Sequence, residues 1–137
     1  MMLPQININL ENIPEKSFIR KTIRHIADRI ILPKGAMSIS FVDTNRIQEL
    51  NRQYRGKDNQ TDVLTFCFEN ESILSDVYIC IDVVKANATE HHVSESEELA
   101  RVIAHAFAHS VGYEHDTNKR YKIMHEFEDF LLGTGTK

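Results

Sequence analysis

The chain has no tryptophan, and its 137 residues include only two cysteines, three prolines and five glycines. Two cysteines, Cys67 and Cys80, cannot build the disulfide framework of a small secreted domain. They do not form a C-x-x-C pair either, so a thiolate metal site has no support. Both lie in apolar, strand-like stretches and read as small buried hydrophobes. Scarce proline and glycine exclude collagen-like repeats and flexible linkers. Apolar runs such as Ile30-Ile31-Leu32 fall far short of the roughly 18 residues that a bilayer span needs. Met1-Met2-Leu3-Pro4-Gln5 has no basic segment followed by an apolar stretch. No secretory signal is expected, and the cytoplasm is the default location. Neither sign of charge dominates, with 16 basic and 20 acidic residues and a net charge of −4. That is not the footprint of a protein that coats nucleic acid non-specifically, although it leaves room for a local basic groove. Neither DNA nor a membrane is an expected partner.

What is present points to a folded, globular chain. The hydrophobic fraction is 42% and the charged fraction 26%, close to the averages for globular domains. The length fits one domain spanning residues 1–137, and a chain of this size buries roughly two thirds of the surface exposed when unfolded. Gln5 to Leu10 alternates, with Ile6, Ile8 and Leu10 on one face, and reads as a strand. Phe18, Ile19, Ile23, Ile26 and Ile30 recur at helical spacing and predict a helix over 15–31, ended by Pro33-Lys34-Gly35. Ala36 to Val42 alternates again. Asp43 or Thr44 can cap a short helix through about Tyr54. Two more strands, Asp62 to Phe68 and Ile73 to Ile81, are joined by the polar turn Glu69-Asn70-Glu71-Ser72, most simply as a hairpin. A short helix is expected near Val83 to Ala88. Ser94 with Glu97 forms a capping box that opens a strong helix through about Val111, which Gly112 ends. A last helix runs from about Asn118 to Leu132, and a frayed tail follows. The expected fold is α+β: a single small mixed sheet of about four strands covered by helices, with a metal-binding helix near the C-terminus.

Histidine is plentiful, at seven residues. His105 and His109 are one helical repeat apart, about 6 Å along the axis and about 40° around it, so both project from one face. Gly112 can turn the chain in the left-handed conformation, and His115 then returns as a third ligand. Three protein ligands leave one position open, the arrangement of catalytic rather than structural zinc. On the helical wheel Leu99, Val102, Ile103, Ala106, Phe107 and Ser110 form the buried stripe. His105 and His109 lie at its edge, beside Glu98 and Arg101. The other four histidines, His25, His91, His92 and His125, lack such spacing and read as ordinary surface or helix residues. The same three-histidine spacing occurs in zinc peptidases of the H-E-x-x-H-x-x-G-x-x-H type, where the Glu after the first His is the general base. Ala106 occupies that position here, so a peptidase is disfavoured.

The segment from His105 to His115 resembles the H-G-x-x-H-x-x-G-Y-D-H signature of YbeY-type endoribonucleases. The stretch from Leu50 to Asp58, followed by Thr61-Asp62-Val63-Leu64-Thr65-Phe66, resembles the family's other signature, which ends in T-D-V-L-S-F. Ser75-Asp76-Val77-Tyr78-Ile79 is similar to its G-D-I-x-I strand, and Met124, Glu128 and Leu131 match its last helix. The resemblance spans about Ile39 to Leu131. It departs from the pattern at Ala106 for Gly, Ala108 for Leu, Glu114 for Asp, Ser75 for Gly and Cys67 for Pro.

The resemblance implies one zinc ion per chain held by His105, His109 and His115. It further implies cleavage of single-stranded RNA, processing of the 16S rRNA 3′ end, and ribosome quality control. The implied partners are rRNA, the small ribosomal subunit and its assembly proteins. It singles out Arg55 as functional, and the planar guanidinium there can hold a phosphate bidentately. Lys57 is a weaker phosphate candidate. Asp62 either orients a ligand histidine through the free ring nitrogen or simply starts its strand. Tyr113 either packs in the core or stacks on a base. No clear general base stands out; Glu114 and Asp116 both lie near the third ligand in sequence, and the sequence does not choose between them. The alternative to an enzyme is a non-catalytic ribosome-assembly factor in which zinc only stiffens the loop after Gly112.

Overall fold

The computed structural model describes residues 5–10, 13–68 and 72–133. Four strands form one mixed sheet: β1 (Ile6–Asn9), β2 (Ala36–Phe41), β3 (Val63–Cys67) and β4 (Ile73–Ile79). The spatial order is β1-β2-β4-β3. β1 runs parallel to β2 and β2 parallel to β4, while β3 pairs antiparallel with β4 and forms an edge. The expected β3–β4 hairpin is therefore present, although Glu69-Asn70-Glu71 of its turn lie outside the described residues, as do Met1–Pro4 and the tail beyond Gly133.

Five helices surround the sheet: α1 (Lys16–Ala27), α2 (Thr44–Arg55), α3 (Ile81–His91), α4 (Glu95–Ser110) and α5 (Asn118–Leu132). α4 packs against α1, α3, α5 and β3. The buried stripe read from its wheel is all buried, with Ile103 and Phe107 fully so. Burying an Ile or Phe side chain contributes about 1.5–3 kcal/mol, so α4 is tied to the core along its length. Its capping box is present: Ser94 Oγ accepts from Glu97 N at 3.0 Å and Glu97 Oε1 accepts from Ser94 N at 3.1 Å. Asp43, rather than Thr44, caps α2 by accepting from Arg46 N at 2.8 Å.

Two boundaries differ from the periodicity reading. α1 stops at Ala27, not near Ile31. Ile30 and Leu32 pack against the core while Ile31 is 94% exposed. That is a period of two, so the apolar triplet belongs to an extended segment rather than to a fourth helical turn. α3 is longer than expected, because Val84 and Ala88 are buried and the chain holds helical geometry to a left-handed cap at His92, φ 59°.

One departure from the family pattern is explained by packing. Ser75 Oγ meets Ser110 Oγ at 2.8 Å between β4 and α4, and Ser110 donates onward to Ala106 O at 2.8 Å. With its one proton committed to the carbonyl, Ser110 accepts from Ser75, and the buried hydroxyl pair is satisfied. Ala106 is likewise buried in the core, so its extra methyl fills packing space. Among the described residues, no helix is long and apolar enough to cross a membrane.

Candidate metal centre

α4 delivers His105 and His109, both half-buried, to the boundary between core and solvent. Gly112, at φ 105°, turns the chain, with Tyr113 N donating to Ala108 O at 3.0 Å. The loop then brings the exposed His115 back toward the helix. One ligand atom from each of the three imidazoles lies within 4.8 Å of the others, so the trio can hold a metal ion. Ring centroids are 4.5 Å apart for His105–His109, 5.0 Å for His109–His115 and 5.4 Å for His105–His115.

The tautomers of the two helical histidines follow from their partners. His109 Nδ1 is 2.9 Å from Tyr113 O. A carbonyl only accepts, so Nδ1 carries the proton and Nε2 keeps its lone pair. His105 Nδ1 is 2.7 Å from Glu128 Oε2, and the same argument applies to a carboxylate. Burial, then the neighbouring His105 and His115, push His109 below the usual histidine value. A neutral imidazole is the form that binds metal.

Glu128, not Asp62, is the carboxylate hydrogen-bonded to His105, so Asp62 keeps the other role open to it, at the start of its strand. Glu128 is buried on α5, accepts from His105, and is also 3.4 Å from Arg101 Nη1. Arg101 is held in turn by Asp129 at 2.7 Å. Asp62 instead takes a 3.4 Å contact from Thr61 Oγ1 and lines a cavity beside His91 and His105. Met124, Glu128 and Leu131 share the one buried stripe of α5, a spacing visible in the sequence that does not say which carboxylate crosses to α4.

Arg55, 50 positions before His105 in sequence, lines one cavity of about 330 Å³ with all three histidines, together with Thr65, Cys67 and Glu114. Its Nη2 donates to Thr65 O at 2.9 Å and its guanidinium lies 5.4 Å from the Phe66 ring centroid. Lys57 does not line this cavity; its backbone N donates to Asn51 O in the turn after Gly56. Glu114 borders the histidines, whereas Asp116 is tied to Arg120 at 3.3 Å. Tyr113 stacks on Phe127, with centroids 4.2 Å apart, so its ring serves packing.

The cysteine reading holds for Cys80, which is fully buried, and fails for Cys67, which is exposed. Cys67 ends the edge strand, paired with Ser75 of β4 on one side and open on the other, and its Sγ lies 3.5 Å from His109 O. Its thiol is pushed up, first by burial of the sulfur and then by Glu114. Thr65 Oγ1, also in this wall, is buried with no hydrogen-bond partner among the described residues.

Of the histidines set aside from sequence, His91 pairs with Glu98 at 3.0 Å, and His125 lies near Glu128 and Asp129. Both line a second cavity of about 400 Å³ that shares His105 and His115 with the first. His25 contacts Arg29.

A family model described as endoribonuclease YbeY matches residues 5–134. The chain belongs to the endoribonuclease YbeY family. A YbeY relative from Geobacillus thermodenitrificans is 36% identical over 128 residues, covering 83% of this chain and 82% of its own. One from a Sulfurihydrogenibium species is also 36% identical, over 93% of this chain and 90% of its own. A solution structure of a Thermotoga maritima protein aligns with a TM-score of 0.60 at 26% identity, covering 93% of this chain and 89% of that one. YbeY membership places the chain among enzymes, hydrolytic nucleases by the names its relatives carry.

Proposed function

We propose that this chain is a zinc-dependent endoribonuclease that cleaves single-stranded RNA within one domain. One zinc ion is assigned to His105, His109 and His115, and phosphate binding to Arg55. The observation that carries this reading is that Arg55 and the three imidazoles line one cavity.

The donor set suits the ion. Three neutral imidazoles, two of them with Nδ1 committed to Glu128 and Tyr113 O, match the three-ligand pattern of catalytic zinc. When bound, the ion would supply Lewis acidity at the scissile phosphate. The chain's own residues do the rest. Glu128 fixes the ring of His105 and keeps its Nε2 pointing away from the carboxylate. Arg55 offers a forked donor to the phosphate oxygens and stabilises charge that builds there. Glu114 is assigned as the proton acceptor, because it borders the histidines while Asp116 is engaged with Arg120.

The cellular assignment rests on the family resemblance: maturation of the 16S rRNA 3′ end and ribosome quality control in the cytoplasm, in contact with the small ribosomal subunit and its assembly proteins. The deciding experiment is cleavage of single-stranded RNA with and without chelator, with metal analysis of the same preparations. Chelator-sensitive cleavage and about one zinc per chain are expected. Full cleavage after the metal is removed overturns the metal assignment. Zinc without cleavage favours the non-catalytic assembly factor.

A further inference from the structure

Strand alternation divides the sheet into two unlike faces. Ile39, Val77 and Ile79 point into the main core. Phe66, Asp76 and Tyr78 lie on the opposite face, where α2 covers only part of the surface with Ile47 and Leu50. Beside α2 this leaves a groove of about 550 Å³ walled by Tyr54, Phe66, Phe68 and Tyr78. Four of the chain's aromatic side chains, out of 4 Tyr and 7 Phe, therefore meet in one place. Tyr54 is 61% exposed and Phe68 40%. Tyr54 and Tyr78 both pack edge-on to Phe66, with centroids 5.5 and 6.1 Å from it.

The groove adjoins the metal cavity. Arg55, Thr65 and Cys67 line both, so the two spaces meet across edge strand β3. Arg55 sits at the crossing. Its hydrogen bond to Thr65 O caps the open strand edge, and its guanidinium lies near the Phe66 ring.

We propose that this aromatic groove is the binding site for unpaired bases of the substrate strand, which stack on Tyr54 and Phe68 while the backbone crosses β3 beneath Arg55 to reach the histidines. This rests on the RNA-cleaving function proposed above. Unpaired bases expose π-faces that exposed aromatic side chains on a sheet accept without regard to sequence, and a phosphate lies within a nucleotide of each base. Paired bases are already stacked and present no free face to Tyr54, so the groove selects for single strands. Asp76 on the groove wall adds an acceptor for an exocyclic amino group.

The test separates binding from cleavage. A short fluorescent single-stranded oligonucleotide with a 2′-O-methyl backbone is titrated against the metal-loaded protein and against the Tyr54→Leu/Phe68→Leu double variant. The dissociation constant should rise about tenfold or more, with zinc content and melting temperature unchanged. Tyr54→Phe, which keeps the ring, should bind like wild type. An abasic oligonucleotide of the same length should bind weakly and equally to all forms. Equal affinity of wild type and double variant for the base-bearing strand overturns the proposal, as does a wild type that prefers neither base-bearing nor abasic strand. If instead the double variant binds weakly and loses zinc as well, the groove is structural and the proposal also falls. Failure of the nuclease reading is seen separately, as absence of cleavage by a wild type that binds the strand normally.

Discussion

The two halves of the metal centre are held differently. His105 and His109 project from α4, whose other faces are buried, and each has its Nδ1 anchored, one by Glu128 and one by Tyr113 O. His115 is exposed on the loop after Gly112, and among the described residues its ring has no hydrogen-bond partner, only the two neighbouring imidazoles. Folding has already fixed the helical pair, so its rotamer entropy is spent before any ion arrives. An ion that engaged His115 would have to order that ring as well. The contrast lies in what holds each ring: hydrogen bonds for the helical pair, and packing against the other two imidazoles for His115.

The largest effect should come from the rigid half. His109→Ala should reduce zinc from about one per chain to near zero and cleavage to background, while the metal-free melting temperature stays close to that of the parent. Full occupancy in this variant breaks the comparison. His115→Ala should keep weak zinc binding, because the anchored pair survives; isothermal titration of both variants reads the contrast.

Arg55→Ala comes next. Losing one charged donor at the developing phosphate charge typically costs about 100-fold in turnover. Arg55→Lys should rescue little, because an ammonium lacks the fork. Zinc content should be unchanged in both. Lost zinc would move Arg55 from phosphate binding to support of the metal site.

Glu128→Gln tests the anchoring itself. Removing a carboxylate that orients a ligand histidine typically weakens metal affinity about 10- to 100-fold. Competition with a chelator of known affinity measures it. No change would mean that the His105–Glu128 contact does not organise the site.

The smallest effects are in pH. His109 has its folded value lowered by burial and by its two neighbours. Stability of the metal-free protein should therefore be present above the ordinary histidine value of about 6.5 and fall as pH drops through the lowered one. His91 is shifted the other way by its hydrogen bond to Glu98. Its contribution should be complete below the ordinary value and fade as pH rises through the raised one. His91→Gln should remove the second trend and leave the first. Thermal melts of chelated protein across pH, at low and high salt, distinguish them, because the exposed His91 pair is screened.

Much of the framework was legible because its signals are local. Alternation marked the strands, Ser94 with Glu97 marked the start of α4, and Gly112 marked the turn that follows it. Local signals also misled. Ile30-Ile31-Leu32 extended the periodicity of α1 by a turn, since apolar neighbours satisfy a helix and a strand equally over three residues. Cys67 looked buried because Phe66 and Phe68 flank it, yet residues at the end of an edge strand have cover on one side only.

That His105, His109 and His115 can meet follows from local sequence alone. Helical repeat and a glycine turn are properties of the eleven consecutive residues from His105 to His115 and need nothing from the rest of the chain. Long-range packing alone brings Arg55 to the three histidines, sets Glu128 rather than Asp62 against His105, and gathers Tyr54, Phe66, Phe68 and Tyr78 into one groove. Those meetings depend on the strand order β1-β2-β4-β3, with β3 at the edge against α4. Alternation fixes which face a residue occupies, but it is blind to which strand lies beside which. That order is set by the burial of whole faces at once, a sum over contacts far apart in the chain.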